Sequence, residues 1–240
     1  DPDPAEVSAL LEAGRGTIRM VTLAPELPGA TEAIRRIVDG GAVAAIGHTE
    51  ATYEQARAAI DAGATVATHL FNAMRPGHHR EPGPVVAALE DPRVTVELVT
   101  DGVHLHPALH RLVTTDVGPD RVALVTDAMA AAGMQDGSYR LGSLAVDGVD
   151  QIARVAGPDT IAGSTATMQR LVAQTVNHGG ADRAESLRTT IRQVTVNPLR
   201  ALGLPAPGLS PGAPADLVVL SPDLDVVQVM RAGTWVTLPG

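Results

Sequence analysis

Six polar residues interrupt an otherwise aliphatic chain at the points where short apolar runs end: Glu26, His48, His69, Asp101 with His104, and Asp127. Imidazole nitrogens and carboxylate oxygens are the donors that hold Zn²⁺ or Fe²⁺ when sulfur is not used. The chain has no cysteine, so disulfides, thiolate metal sites and cysteine nucleophiles are excluded. A hydrolytic metal centre also needs an open position for water, whose pKa the metal lowers toward ~7. It needs a base that takes the proton from that water and returns it to the leaving group. Asp127, at the end of "VALVTDA", has the right type for that duty. Taken singly, each residue has a plainer reading, as a hydrogen-bonded structural histidine or an aspartate capping a turn. The same pattern at successive run ends favours chemistry.

The runs that deliver these residues read as strands at 17–26, 42–50, 64–72, 94–102 and 121–128. Segments 29–41, 52–63 and 84–91 have helical patterning, and "PALHRLVTTDVG" follows the fourth run. Apolar strands alternating with helices predict parallel βα units buried on both faces. In such folds, barrels especially, the carboxyl edge of the sheet builds the active site. The later half changes character. Residues 139–164 read as short strands with glycine turns, and 165–180 and 183–203 as helices. The Pro/Gly-rich tail carries strand-like runs at 215–220, 226–231 and 234–237, which predict part of a separate small β domain starting near Pro205.

Composition narrows the partners. The chain has 240 residues, 45% of them hydrophobic but only 2% aromatic, so its core must be built from Val, Ala, Leu and Ile. A formal net charge of −9 argues against a basic face for nucleic acid. No apolar run reaches the ~18 residues of a membrane span. The opening residues, acidic and proline-rich, do not read as a secretory leader. A cytoplasmic protein is expected.

The motifs "TLAPE", "GHTEATYEQA", "THLFNAM", "HREPG", "DGVHLHP", "VTDAM" and "IAGSTATM" occur in this order. Together they resemble the N-acetylglucosamine-6-phosphate deacetylase family of the amidohydrolase superfamily. "GLSPGAPADLVVL" is similar to the tail by which that superfamily returns to a β-sandwich. The resemblance runs from about residue 17 onward. It implies an α/β fold, a (β/α)₈ TIM-like barrel plus a small β-sandwich domain. It implies deacetylation of a sugar phosphate by one or two divalent metal ions, zinc or iron, per subunit. His48 and His69 match the metal-binding histidines, and Asp127 the aspartate that activates water and protonates the departing amine. His104 matches a histidine that binds the sugar. Asn72 and the backbone of Ala73 match a loop contacting the 6-phosphate, with Arg80 as cationic partner. An arginine fork suits phosphate oxygens. Ile161, Ala162, Gly163, Ser164 and Thr165 match a segment lining the acetyl pocket. A homodimer is implied, since the phosphate arm lies near the family's dimer interface. His78 and His79 find no match and read as surface residues.

The sequence also departs from the family pattern. No "HLEGP" motif, which holds the family's metal-binding glutamate, precedes "TLAPE"; nor is there an H-x-H pair or a Gly-Thr/Ala-His motif. Glu26 therefore reads as a supporting residue. The five strands match barrel strands four to eight, with 1–204 as a partial barrel and 205–240 as strands of the sandwich. The expectation is the C-terminal portion of a longer protein, which as a 240-residue chain binds metal weakly and turns over poorly. Two alternatives stay open: a non-catalytic relative binding a sugar phosphate or a partner subunit, and an amidohydrolase acting on another amide.

Overall fold

The aliphatic runs assemble into one parallel sheet of five short strands in sequence order: β1 (Met20–Leu23), β2 (Val43–Ile46), β3 (Ala64–Ala67), β4 (Thr95–Leu98) and β5 (Val122–Leu124). This is a computed structural model, and it describes residues 2–156, 160–180, 182–206 and 208–237. Four helices connect the strands: α2 (Ala30–Asp39), α3 (Tyr53–Asp61), α4 (Gly83–Glu90) and α5 (Pro107–Val117). Each strand is shorter than its apolar run. Ladder pairing stops where the run turns polar, and the polar residues occupy the loops beyond.

Helix burial follows the heptad-like spacing of the sequence. Ala30, Ala33, Ile34 and Ile37 form the buried stripe of α2. Thr52 and Gln55 close a capping box at the start of α3. Ile34, Ile37, Ile46, Ile60, Leu70, Val96, Leu98 and Leu124 belong to one continuous core. Alanines at 33, 56, 59, 87 and 88 in the same core let helices approach the sheet closely. Burial of this kind contributes about 25 cal/mol per Å² of apolar surface, and here it does so almost without aromatic rings.

Three differences from the sequence-based expectation have local causes. The first is α1 (Pro4–Gly14), which the apolar-run reading passed over. Asp3 caps the Ala5 and Glu6 N–H groups and proline opens the helix. Among the described residues its contacts to the core are Val7 and Leu11, too few for a periodic stripe. The second is the stretch 183–203, which forms two helices, α7 (Arg183–Val194) and α8 (Val196–Ala201), following α6 (Met168–His178). Pro198 cannot donate to the carbonyl four residues back, and Thr195 breaks the path at φ −122°, ψ −69°. The third concerns 139–164, where the meander β6 (Gly137–Leu141), β7 (Leu144–Val149), β8 (Ile152–Val155) begins two residues earlier than its pattern indicated. Residues 157–159 of that stretch lie outside the described ones.

The tail strands β9 (Leu217–Leu220), β10 (Val226–Arg231) and β11 (Thr234–Val236) form an antiparallel sheet. Leu220 and Leu224 pack on Val172 and Val176 of α6. Residues 207 and 238–240 of the tail lie outside the described ones. Among the described residues, no helix is long and apolar enough to cross a membrane.

Asp91, between α4 and β4, ties the helix layer to the sheet. Its Oδ1 accepts from the Arg93 N–H and Nε, both at 2.9 Å, and its Oδ2 from Arg57 Nη1 at 2.8 Å and Arg93 Nη2 at 2.7 Å. Hydrogen bonding from Arg93 holds the Asp91 carboxyl well below the usual carboxylate range, against the opposing effect of burial. A depressed carboxyl contributes stability that is present above the unfolded-state pKa of ~3.9 and is lost as pH falls toward the folded value. Asp91→Asn is expected to lower stability by roughly 1–3 kcal/mol at neutral pH, with the deficit shrinking below about pH 4. Denaturant titrations of both proteins at pH 7 and pH 3 measure this, and an equal deficit at both would contradict it.

Candidate active site

His48 and His69 each lie two residues beyond Ile46 and Ala67, which are partners in the β2–β3 ladder. Equal offsets from a paired position bring both side chains out at one level of the sheet edge. Gly47 makes the approach possible. A Cβ there would sit 2.8 Å from Thr22 Cγ2 and 3.0 Å from Thr68 Cβ, inside the space those neighbouring strands need. His48, His69 and Asp127 then take left-handed backbone conformations, at φ 49°, 33° and 51°. Such conformations cost non-glycine residues about 1–3 kcal/mol each and cluster at functional sites.

The two imidazoles meet edge to face. Their Nε2 atoms are 2.9 Å apart, with ring centroids 4.6 Å apart and planes at 80°. His69 is buried, and its Nδ1 has no hydrogen-bond partner. Burial, followed by the neighbouring His48, lowers the His69 pKa against the pull of Asp127, so the ring is neutral at pH 7. The two Nε2 atoms thus face each other at hydrogen-bond distance, and the buried Nδ1 of His69 is left without a partner. This is the donor set that a divalent cation takes, and the two residues fit one. Among the described residues, no group of three or more His, Cys, Asp or Glu side chains could hold a metal.

The surrounding loops are stitched together. The Thr49 N–H donates to the Ala73 carbonyl at 2.9 Å, and the Arg75 N–H to the Thr49 carbonyl at 2.8 Å. Glu26 accepts from the Thr49 hydroxyl and, at 2.7 Å, from the Glu50 N–H. It therefore braces the His48 loop, in keeping with a supporting role. Asn72 turns its amide back, with Nδ2 donating to the His69 carbonyl at 3.1 Å, and so closes the turn after β3. Arg80 is exposed, and its guanidinium contacts His79 at 2.7 Å. No described hydrogen bond joins it to Asn72 or Ala73. Glu81 accepts from the Tyr53 N–H at 2.9 Å, which anchors this loop to the start of α3.

Residues 161–165 lie along the end of β5. The Ser164 N–H donates to the Asp127 carbonyl at 2.7 Å, and the Met129 N–H to the Ser164 carbonyl at 3.0 Å. Ala162 pairs back to Ala153 of β8 through an N–H to carbonyl bond of 2.9 Å. Behind this segment Asp101 is buried, accepting from His104 Nδ1 at 2.8 Å and Ser164 Oγ at 2.7 Å. Hence His48, His69 and Asp127 share one edge, and His104 joins Ser164 through Asp101.

One residue of this edge escaped the sequence reading. Glu97 of β4 is buried, and burial pushes its carboxyl up to about 7 although the His69 backbone draws it down; Asp127 adds to the rise. Its signal was a lone charge inside the apolar run 94–99. A separate cleft of about 450 Å³ lies between α5, α6 and α7, beside His110, Ser186 and Thr190. It shares no residue with the histidine pair.

A parallel α/β sheet with histidines and carboxylates gathered at its carboxyl edge is the arrangement in which α/β proteins build active sites. The amidohydrolase family model matches residues 4–236, and the chain belongs to the amidohydrolase family. It is 39% identical over 95% of its length to N-acetylgalactosamine-6-phosphate deacetylase of Escherichia coli O157:H7, covering 60% of that protein. Its structure matches N-acetyl-D-glucosamine-6-phosphate deacetylase of Mycobacterium smegmatis, solved in complex with N-acetyl-D-glucosamine-6-phosphate, with TM-score 0.96 and 62% identity. That match covers 98% of this chain and 62% of the other. The Pasteurella multocida N-acetylglucosamine-6-phosphate deacetylase matches with TM-score 0.89 at 30% identity, over 97% of this chain and 60% of the other. The chain therefore spans about three fifths of the length of these relatives.

Gly163 tests the packing of this edge. It sits at φ 85°, where a Cβ would fall 2.9 Å from the Asp127 carbonyl oxygen. Gly163→Ala is expected to cost roughly 1–3 kcal/mol through left-handed strain alone, with more from the clash against backbone. Thermal unfolding measures it, and an unchanged Tm would show that the segment does not press on Asp127.

Proposed function

We propose that this chain carries one wall of a metal-dependent deacetylase site that hydrolyses the acetamide of N-acetylglucosamine 6-phosphate, yielding glucosamine 6-phosphate and acetate. The observation that carries this reading is the likeness at 62% identity to the M. smegmatis enzyme, solved with that sugar phosphate. The converging His48 and His69 nitrogens supply chemistry consistent with it.

In this reading β1–β5 are strands four to eight of a (β/α)₈ barrel within residues 1–204. Residues 205–240 are strands of a small β-sandwich. His48 and His69 hold a divalent ion, zinc or iron, one or two per subunit, the family being generally dependent on divalent metals. Such an ion supplies Lewis acidity toward water and the acetamide carbonyl. The low pKa of His69 keeps its ring neutral and able to ligate. Asp127 takes a proton from the attacking water as the water oxygen bonds to the acetyl carbon. It gives that proton to the nitrogen as the C–N bond breaks, so amine and acetate leave. His104 holds the sugar, and residues 161–165 line the acetyl pocket. The loop of Asn72 and Ala73, with Arg80, takes the phosphate. Because the Asn72 side chain closes its own turn, its part is to shape the loop, leaving Arg80 as the charged partner. An anchored, non-reacting phosphate holds the amide in register with the reacting groups. A cytoplasmic homodimer completes the proposal.

A second reading has its own support. The E. coli relative is named for the galacto epimer, so N-acetylgalactosamine 6-phosphate is the alternative substrate. Amine release from both epimers and from unphosphorylated N-acetylglucosamine, by the metal-loaded protein that carries this chain, decides between them. Arg80→Ala is expected to raise KM for the phosphorylated sugar about 10–100-fold and to leave the unphosphorylated sugar nearly unaffected. Equal losses for both would remove Arg80 from the phosphate site. Asp127→Asn is expected to cut kcat by about 10²–10⁴ at unchanged metal content. Retained turnover would refute its role as proton carrier.

A further inference from the structure

We infer that Asp101 is a positioning residue that sets sugar recognition and acyl recognition together, by fixing the tautomer of His104 and the seat of the 161–165 segment through one buried carboxylate. This rests on the reading of His104 as a sugar contact and of 161–165 as the acyl-pocket lining.

Four donors converge on the Asp101 side chain. Its Oδ1 accepts from the Val103 N–H at 2.9 Å and the His104 N–H at 2.8 Å. Its Oδ2 accepts from His104 Nδ1 at 2.8 Å and Ser164 Oγ at 2.7 Å. An ionised carboxylate has about four acceptor positions, so this one is saturated. Its exposure is only 3%, and an unpaired charge would not be tolerated at that depth. Burial alone would raise the Asp101 carboxyl, but the bonds from His104, Ser164 and Val103 hold it well below the usual range. The group is therefore a permanent acceptor.

A permanent acceptor at Nδ1 forces His104 to carry its proton there. In the neutral ring Nε2 is then left with a lone pair, and the histidine meets the sugar as an acceptor for a hydroxyl or amide hydrogen. The second arm runs through Ser164. Its hydroxyl donates to Asp101 and accepts from the Ala166 N–H at 3.0 Å, while its backbone N–H holds the Asp127 carbonyl at 2.7 Å. One serine thus links the carboxylate behind the sugar contact, through its hydroxyl, to the backbone of the proposed proton carrier, through its N–H. Asp101 lies three residues before His104 but 63 before Ser164, so the link is tertiary.

Asp101→Asn keeps shape but removes the acceptor surplus. The amide must present its NH₂ either to the Val103 and His104 backbone N–H groups, donor against donor, or to His104 Nδ1 and Ser164 Oγ together, and it lacks the charge that holds the Nδ1–H form. The experiment is ¹⁵N-histidine NMR of the full protein with zinc bound, joined to steady-state kinetics. In the wild type His104 is expected as the Nδ1–H tautomer, and in Asp101→Asn as Nε2–H or a mixture. KM for N-acetylglucosamine 6-phosphate should rise about tenfold or more, the effect of one charge-assisted hydrogen bond lost, with metal content unchanged. Ser164→Ala provides the second arm if Asp101→Asn fails to fold. It should leave the His104 tautomer intact and shift the ratio of kcat/KM for N-acetyl against N-propionyl substrates at least about threefold. A tautomer unchanged in Asp101→Asn overturns the inference, as does an unchanged acyl preference in Ser164→Ala. A tautomer that switches with no change in KM supports the Asp101–His104 link and instead removes His104 from the sugar site, so the two failures are separable.

Discussion

The pairing of Ile46 with Ala67 in a parallel ladder is the constraint on which the site depends. Parallel strands leave a sheet on the same side, so residues at equal offsets from a paired position emerge as neighbours. His48 and His69 hold that offset, and their Nε2 atoms end 2.9 Å apart. A one-residue slip would turn one of the two imidazoles to the other face of the sheet. The aliphatic core prevents the slip, because Ile46 and Ala67 are themselves part of it. Packing therefore sets the separation of the reactive nitrogens, and the loops add only direction.

That direction is held against backbone preference. Five non-glycine residues of the edge and its loops, His48, His69, Phe71, Ala73 and Asp127, adopt left-handed conformations, and bonds across neighbouring loops hold their segments. The Thr49 and Arg75 bonds close the His48 loop on the one after β3, Glu26 braces it from β1, and Ser164 pins Asp127. Each such bond is worth about 0.5–1.5 kcal/mol net, comparable to the strain it offsets. Glycines 47 and 163 contribute by being absent at Cβ, one letting strands close in and the other letting a segment lie on the Asp127 carbonyl.

The βα rhythm was legible because strands buried on both faces read as continuous apolar runs, and the candidate residues stood out as the polar letters ending those runs. What stayed hidden depends on tertiary placement. Helix α1 buries too little to be periodic. The break at Thr195 follows from a proline that a helical pattern otherwise absorbs. Asn72 and Arg80 are close in sequence, yet one side chain folds back on its own turn and the other reaches solvent beside His79. Glu97 looked like a flaw in an apolar strand, because its meaning comes from His69 and Asp127 on other elements. The bond between Asp101 and Ser164 spans 63 residues, a separation at which no local pattern speaks.

Two aspartates at neighbouring strand ends have been given opposite environments. Asp101 is buried with four donors filling its acceptor positions. Protonating it would strand those donors, so it is unsuited to moving a proton. Asp127 is exposed, and among the described residues its carboxylate accepts no hydrogen bond, only its backbone carbonyl being engaged. Its carboxylate stands outside the network of bonds that fixes Asp101. Environments that divide chemically identical groups into a fixed charge and a labile one are how a site assigns its acid–base roles. The proposed proton carrier is thus the exposed aspartate, and the saturated one keeps a fixed charge, a division that rests on hydrogen-bond saturation and exposure within this chain.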